Sequence, residues 1–230
     1  MKLLALEAGG PVISVALFDN ARAVGQAWLR APQRPTEQLA PLVETLLKRH
    51  RWKPSQLGAL GCGNGPGSFT GLRSSMAFGA GWALAVEGLV LVPVPTLHAW
   101  AEAFCPAQDQ QALVLLDGRR SQVYRGLLRR EAGGWADVLK PALMDLAAAL
   151  SEPRPVQEAA LISDLAYLSP ESDPLNLDSA ALALAVGRLA CRTLQAGGPP
   201  GPWEPEYLRR SEAELLWERL HPAPGVAGAA

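Results

Sequence analysis

The sequence predicts an α/β chain folded as two related lobes. Three observations predict it. Short apolar runs rich in β-branched residues alternate with segments whose apolar residues recur at helical spacing, the mixture from which layered α/β folds are built. A pattern of strand, turn, strand and strand opens the chain at Leu3 to Leu29 and begins again near Ala112. An acidic residue closes the first strand of each copy, Glu7 in one and Asp117 in the other. The boundaries that follow are 1–108 for an N-terminal lobe, 109–221 for a C-terminal lobe and 222–230 for a disordered tail.

Each element has a local cause. Leu3 to Leu6 is a short apolar run that ends in Glu7, Ala8, Gly9, Gly10 and Pro11, and Val12 to Phe18 and Ala21 to Leu29 resume as strands. From Thr36, the residues Leu39, Leu42, Val43, Leu46 and Leu47 recur at helical spacing, with Pro35 and Thr36 at the start and Lys48, Arg49 and His50 at the cationic end. Leu57 to Cys62 reads as a buried strand feeding a glycine loop, and Thr70 to Val86 as a helix. That helix carries two stripes of small residues, Gly71, Ser75, Gly79 and Ala83 on one side and Ala77, Gly81 and Ala85 on another. Glycine costs helix stability, so close approach of neighbouring backbones is the natural purpose. Val90 to Val94 reads as a strand and Thr96 to Phe104 as a helix. In the second half Ala112 to Leu116 is a strand, Gly118 to Arg120 a turn and Gln122 to Leu128 the next strand. Leu143 to Leu150 and Ser179 to Gln195 read as helices, and Ser211 with Glu214 forms a capping box for a last helix through Leu220.

Composition narrows the function. Twenty-one Lys and Arg against 22 Asp and Glu leave a net charge of -1, so no broad positive field exists to hold a phosphate backbone. Cys62, Cys105 and Cys191 are odd in number and far apart, which fits small buried hydrophobes in a reducing cytosol. The N-terminus departs from a signal peptide at Glu7, and the longest apolar stretch, Met76 to Val94, is broken by Glu87 and Pro93. The expectation is a cytoplasmic protein with no membrane span.

The densest motif is GPGSFTGLR, Gly65 to Arg73, between a strand and a helix. Amides at such a helix start suit a phosphate, whereas the glycines equally suit a turn that lets segments pack closely. There is no Gly-Lys-Ser/Thr ending, Thr70 stands where the third glycine of GxGxxG would fall, and Pro66 and Thr70 replace the glycines of a nucleophile elbow around Ser68. Glu7 and Asp117 could hold Mg²⁺ through water or be solvated turn carboxylates. His50, His98 and His221 are isolated, which argues against a metal site or a metallopeptidase. The seven tryptophans show no interleaved basic platform for RNA, and Arg119, Arg120, Arg125, Arg129 and Arg130 read better as solvation of a hairpin than as an anion site.

GPGSFTGLR resembles the signature of the TsaB (YeaZ) family, and other segments fall in the family's order. LLALEAGGPVISVAL is similar to its opening hairpin, TEQLAPLVETLL to its first helix, LVLLDGRRSQVY to its second-lobe entry and PEYLR, Pro205 to Arg209, to its C-terminal motif. The resemblance implies an actin-like, sugar-kinase-like fold with two ribonuclease-H-like lobes. It further implies a non-catalytic subunit that pairs with and activates the catalytic paralogue TsaD, with the ATPase TsaE as a further partner. That assembly transfers a threonylcarbamoyl group to the adenosine beside the anticodon of tRNAs reading A-starting codons, so tRNA is met through the complex. Two departures stand out: the family's acidic-Thr-Ser turn is Glu7-Ala8-Gly9 here, and its His-Ser-Glu at the first helix is Pro35-Thr36-Glu37. The first removes two hydroxyls that could approach a phosphate or Mg²⁺.

The sites expected on this reading are a partner surface and a cleft. The surface comprises Leu39, Val43, Leu46, Thr70, Ser74, Ala77, Phe78 and Gly81, and would serve a homodimer when the chain is alone. The cleft would place Glu7, Gly9, Gly67, Ser68 and Asp117 around ATP or ADP with Mg²⁺, although the chain itself requires no cofactor. An actin-like ATPase or kinase using that cleft is the alternative function.

Overall fold

The opening strand, β1 (Lys2–Glu7), is apolar on both of its faces because both are covered. Leu3 and Ala5 enter one core while Leu4 and Leu6 enter another, the two-residue alternation of a strand between two layers. A computed structural model of the protein describes residues 1–30, 35–105, 107–151, 159–165, 168, 181–209, 216–217 and 220–221, with backbone alone at 35 and 36. The Thr36 cap, the helix start at Ser179, the Ser211 and Glu214 capping box and the tail at 222–230 lie outside the described residues or side chains.

Around β1 the first sheet adds β2 (Val12–Asp19), β3 (Arg22–Arg30), β4 (Leu57–Gly63) and β5 (Val90–Val94) in the order β3-β2-β1-β4-β5. β1 pairs antiparallel with β2 and parallel with β4. The second sheet repeats this plan with β6 (Gln111–Arg119), β7 (Gln122–Glu131), β8 (Gly134–Asp145) and β9 (Ala160–Ser163) in the order β8-β7-β6-β9. Here β6 pairs antiparallel with β7 and parallel with β9. The hairpins beginning at Leu3 and Ala112 are therefore equivalent, and the chain has the two related lobes that the repeat predicts.

Helices fill the spaces on both sides of each sheet. α1 (Pro35–Arg49) and α2 (Phe69–Ala85) cover the outer face of the first sheet, where Leu39, Val43, Leu46 and Met76 meet Leu4, Leu6, Val15 and Leu60. α3 (Thr96–Phe104) and α5 (Ala181–Gln195) pack on each other between the two sheets, α5 against the first and α3 against the second. α4 (Leu146–Ser151) lies on the far face of the second sheet with Leu113, Leu115, Val123 and Leu127. Close packing in the middle layer depends on absent side chains. A Cβ at Gly187 of α5 would lie 2.0 Å from Cε2 of Phe18, and one at Gly61 of β4 would lie 2.8 Å from Cβ of Ala190.

The structure shifts two elements from their expected places. Leu143, Met144 and Asp145 finish β8 opposite Tyr124, Val123 and Gln122, so the helix expected from Leu143 starts at Leu146. Asp145 supplies the start signal by accepting the amides of Ala147 and Ala148 at 2.8 and 3.2 Å. The turn expected at Gly118 to Arg120 falls one residue later, since β6 continues through a bulge to Arg119 and Arg119, Arg120 and Ser121 take left-handed backbone angles. The three cysteines are free and buried, and no helix among the described residues is long and apolar enough to cross a membrane.

Replacing Gly187 by Val would drive a branched side chain into the ring of Phe18, which is 1% exposed. A loss on the order of 1–3 kcal/mol is expected, read as a lower urea midpoint at unchanged slope. An unchanged midpoint would mean that α5 does not pack on the first sheet at this distance.

Candidate functional site

Between the lobes lies a cleft of about 610 Å³. The β1–β2 turn at Gly9, Gly10 and Pro11 and the start of α2 at Ser68, Phe69 and Thr70 form one side. Asp117, Gly118 and Arg119 at the end of β6, with Tyr124 and Asp164, form the other, and Glu206 to Arg209 crosses between them.

The glycine loop is built for contact between backbones. A Cβ at Gly71 would lie 1.9 Å from the carbonyl oxygen of Ala8, and one at Gly67 would lie 2.7 Å from that of Gly9. The Ser68 amide donates to the Gly9 carbonyl at 2.7 Å, and the Gly71 amide donates to Oγ of Ser68 at 3.3 Å. Gly65 takes φ +117°, a conformation that favours glycine, and its amide donates to Oγ1 of Thr96 at 3.0 Å. Of the two readings that the motif left open, the geometry favours close packing, because the amides of Ser68 and Gly71 are engaged within the chain. Ser68 is the N-cap of α2.

Glu7 departs from the expected site. Its side chain turns beneath the β1–β2 turn, fully buried, and does not line the cleft. Oε1 accepts the Gly9 amide at 2.6 Å, whereas Oε2 has no hydrogen-bond partner. Gly63 makes room for it, since a Cβ there would lie 1.8 Å from Oε2. Burial pushes the Glu7 carboxyl up to about 7, an effect partly offset by the Gly9 amide. Asp117 does face the cleft, where its Oδ1 accepts the Arg119 amide at 2.8 Å. Gly9, Gly67 and Ser68 are there too.

Sequence reasoning missed Asp164. It follows β9, which occupies in the second lobe the place of β4 in the first, so Asp164 is the counterpart of Asn64. Its Oδ1 accepts the Asp117 amide at 2.7 Å. Burial and then the neighbouring Asp117 carboxylate push its own carboxyl up to about 6, against the Asp117 amide and Arg119. The available signal was the apolar run Ala160 to Ile162 before Ser163 and an acid, a strand too short to stand out without its partner β6.

The surface helices also correct an expectation. Leu39, Val43 and Leu46 are at most 2% exposed and belong to the core beneath α1, so they cannot form a surface. The spacing that reveals an amphipathic helix marks its inward face. Of the α2 stripes, Gly71, Ser75 and Gly79 face inward, and Gly79 meets Trp203 and Leu60. Thr70, Ala77, Gly81 and Ala85 are exposed, Ser74 and Phe78 are partly so, and Leu84 is 92% exposed. The hairpin arginines are engaged within the chain at several points. Arg130 donates to the carbonyls of Asp109 and Cys105 and stacks over Trp135, while Arg129 and Arg119 meet Glu131 and Asp117. Among the described residues no group of three His, Cys, Asp or Glu side chains could hold a metal.

Residues 30–196 match the family model described as TsaD: tRNA N6-adenosine threonylcarbamoyltransferase. The chain belongs to this family. Within it, the chain's similarity is to the TsaB, or YeaZ, proteins. It is 30% identical over 151 residues to the tRNA threonylcarbamoyladenosine biosynthesis protein TsaB of Escherichia coli, covering 63% of this chain and 64% of that protein. Against the Haemophilus influenzae protein of the same name it is 31% identical over 57% of this chain and 55% of the relative. The chain thus spans less than two thirds of the length of these curated relatives. YeaZ from Pseudomonas aeruginosa superposes with a TM-score of 0.72 at 25% identity, over 90% of this chain and 99% of that one. In this chain the GPGSFTGLR loop fastens the helix α2 to the β1–β2 turn, and Ala8 and Gly9 lie directly under it.

The Glu7 carboxyl gives this family member a pH signature. An acid raised from 4.5 to about 7 holds its proton in the folded state while the unfolded chain releases it, so its contribution is full below about pH 4.5 and lost as pH rises through about 7. The loss is on the order of 3 kcal/mol. Glu7→Gln keeps an acceptor for Gly9 and cannot ionise. Urea unfolding at pH 5 and pH 8 should therefore show the wild type losing stability relative to Glu7→Gln; parallel profiles would show that Glu7 ionises freely.

Proposed function

We propose that this chain is a non-catalytic subunit that pairs with and activates a catalytic threonylcarbamoyltransferase of the TsaD type. The reaction served is threonylcarbamoyl transfer to the adenosine beside the anticodon of tRNAs that read A-starting codons. The names of the TsaB relatives support a place in threonylcarbamoyladenosine biosynthesis. The observation that carries the reading is the outer face of α2, where Thr70, Ala77, Gly81 and Ala85 leave a shallow exposed track flanked by Leu84 and Phe78. A Cβ added at Gly81 would meet nothing within 4 Å. A helix from a paralogue can approach such a track closely, and α1 lies beside it to complete a four-helix contact. The same face suits a homodimer when the partner is absent. TsaE is the expected ATPase partner, and with a net charge of -1 the chain reaches tRNA through the complex in the cytoplasm.

Ala77→Arg and Gly79→Arg separate this surface from the core. Ala77→Arg should fold normally and lose at least about tenfold in affinity for TsaD, through bulk and charge at a packed contact. Gly79→Arg should lose stability, because its side chain meets Trp203 at once. Melting temperature and co-elution with TsaD are the measurements, and an Ala77→Arg protein that binds TsaD like wild type would place the interface elsewhere.

A second reading, an actin-like ATPase or kinase, draws on Gly67, Ser68 and Asp117 around the cleft. The sealed Glu7 and the engaged amides of Ser68 and Gly71 weigh against it. Titration of the isolated chain with ATP and Mg²⁺ is expected to give no binding heat, and saturable heat that Asp117→Asn abolishes would favour the second reading.

A further inference from the structure

We propose that Trp203 to Arg209 is a latch between the lobes, anchored on the first and closed on the second by Arg209, which sets the width of the cleft. The anchor is made of several contacts with the first lobe. Nε1 of Trp203 donates to the Met76 carbonyl at 3.0 Å, and its ring fills the space that Gly79 leaves open beneath α2. Asn64 at the end of β4 grips the segment twice, with its Nδ2 donating to the Glu204 carbonyl at 3.3 Å and its own carbonyl accepting the Glu206 amide at 2.7 Å. Gly65 admits the Glu206 carbonyl, which would lie 2.6 Å from a Cβ there. Tyr207 then lies against Phe69 at the start of α2, ring centroids 4.9 Å apart.

The far end behaves differently. Arg209 reaches across and its Nη1 donates to the Gly118 carbonyl at 2.8 Å. Gly118 sits in the bulge of β6 between Asp117 and Arg119, so the bond holds the β6 end of the cleft wall, beside Asp117 and Arg119. Leu208, between anchor and closure, packs against the core shared by the two sheets. A segment held by backbone and ring contacts at one end and by the side chains of Leu208 and Arg209 at the other can release at the second end alone. Its four residues Glu206 to Arg209 all line the cleft, so a ligand entering there must touch the latch.

The test measures the cleft directly. Spin labels on Thr70→Cys of α2 and Ser121→Cys of the β6–β7 turn report the separation of the lobes, the native cysteines being buried. Arg209→Met keeps the apolar stem and removes the donors; Arg209→Ala removes both. Either variant is expected to broaden the distance distribution and shift it outward by on the order of 5 Å. Hydrogen exchange at the Glu206 amide should stay within about threefold of wild type, because the anchor is intact. Distributions that superimpose on wild type in both variants would overturn the latch, as would a tenfold faster Glu206 exchange, which would make the segment one cooperative strap. Unfolding of both variants also counts against it, since a closure at the cleft rim is dispensable to folding.

Discussion

The middle helical layer is the constraint on which the rest of the molecule depends. α3 and α5 meet between the sheets, and Glu102 of α3 takes both terminal nitrogens of Arg192 of α5 at 2.9 and 3.0 Å. The Glu102 carboxylate is 7% exposed and also accepts Nε1 of Trp135 from β8. Two parallel bonds fix the geometry of the pair, while the Arg192 side chain, 38% exposed, leaves its charge screened by solvent. Through it the first sheet, which packs on α5, and the second, which packs on α3, share one frame. The ends of β1 and β6 then open onto the same cleft.

Backbone contact, made possible by glycines, decides what that cleft contains. α2 sits so low on the β1–β2 turn that Gly71 and Gly67 have no room for a side chain against Ala8 and Gly9. That approach covers Glu7, and the glycine at position 63 gives its carboxylate a place beneath the turn. The acidic residue that closes β1 is thus interior, whereas its counterpart Asp117 faces solvent and gains a second carboxylate, Asp164, at its amide. The two lobes share a plan and differ where chemistry would occur.

Much of this was legible in the sequence. The apolar runs of β1, β2 and β6, the helical spacing from Leu39 to Leu47 and the repeat at Ala112 are local signals, set by propensity and by the need to bury one or both faces. They gave the strands, the principal helices and the duplicated plan. The α2 stripes were visible too, but which one faces inward was decided by Trp203, 124 positions from Gly79, against which its ring settles.

What the sequence determined by itself is the set of elements and the family motif, because both depend on neighbours in the chain. What only the tertiary structure decided is which side chains meet water. Leu39, Val43 and Leu46 are expected on a partner surface, and the sheet beneath them makes them core. Glu7 and Asp117 looked alike until one was covered and the other was not. Asp164 became part of the cleft only through β9 pairing with β6. Burial is a property of surfaces brought together from distant parts of the chain, and local spacing carries no record of which surface will arrive.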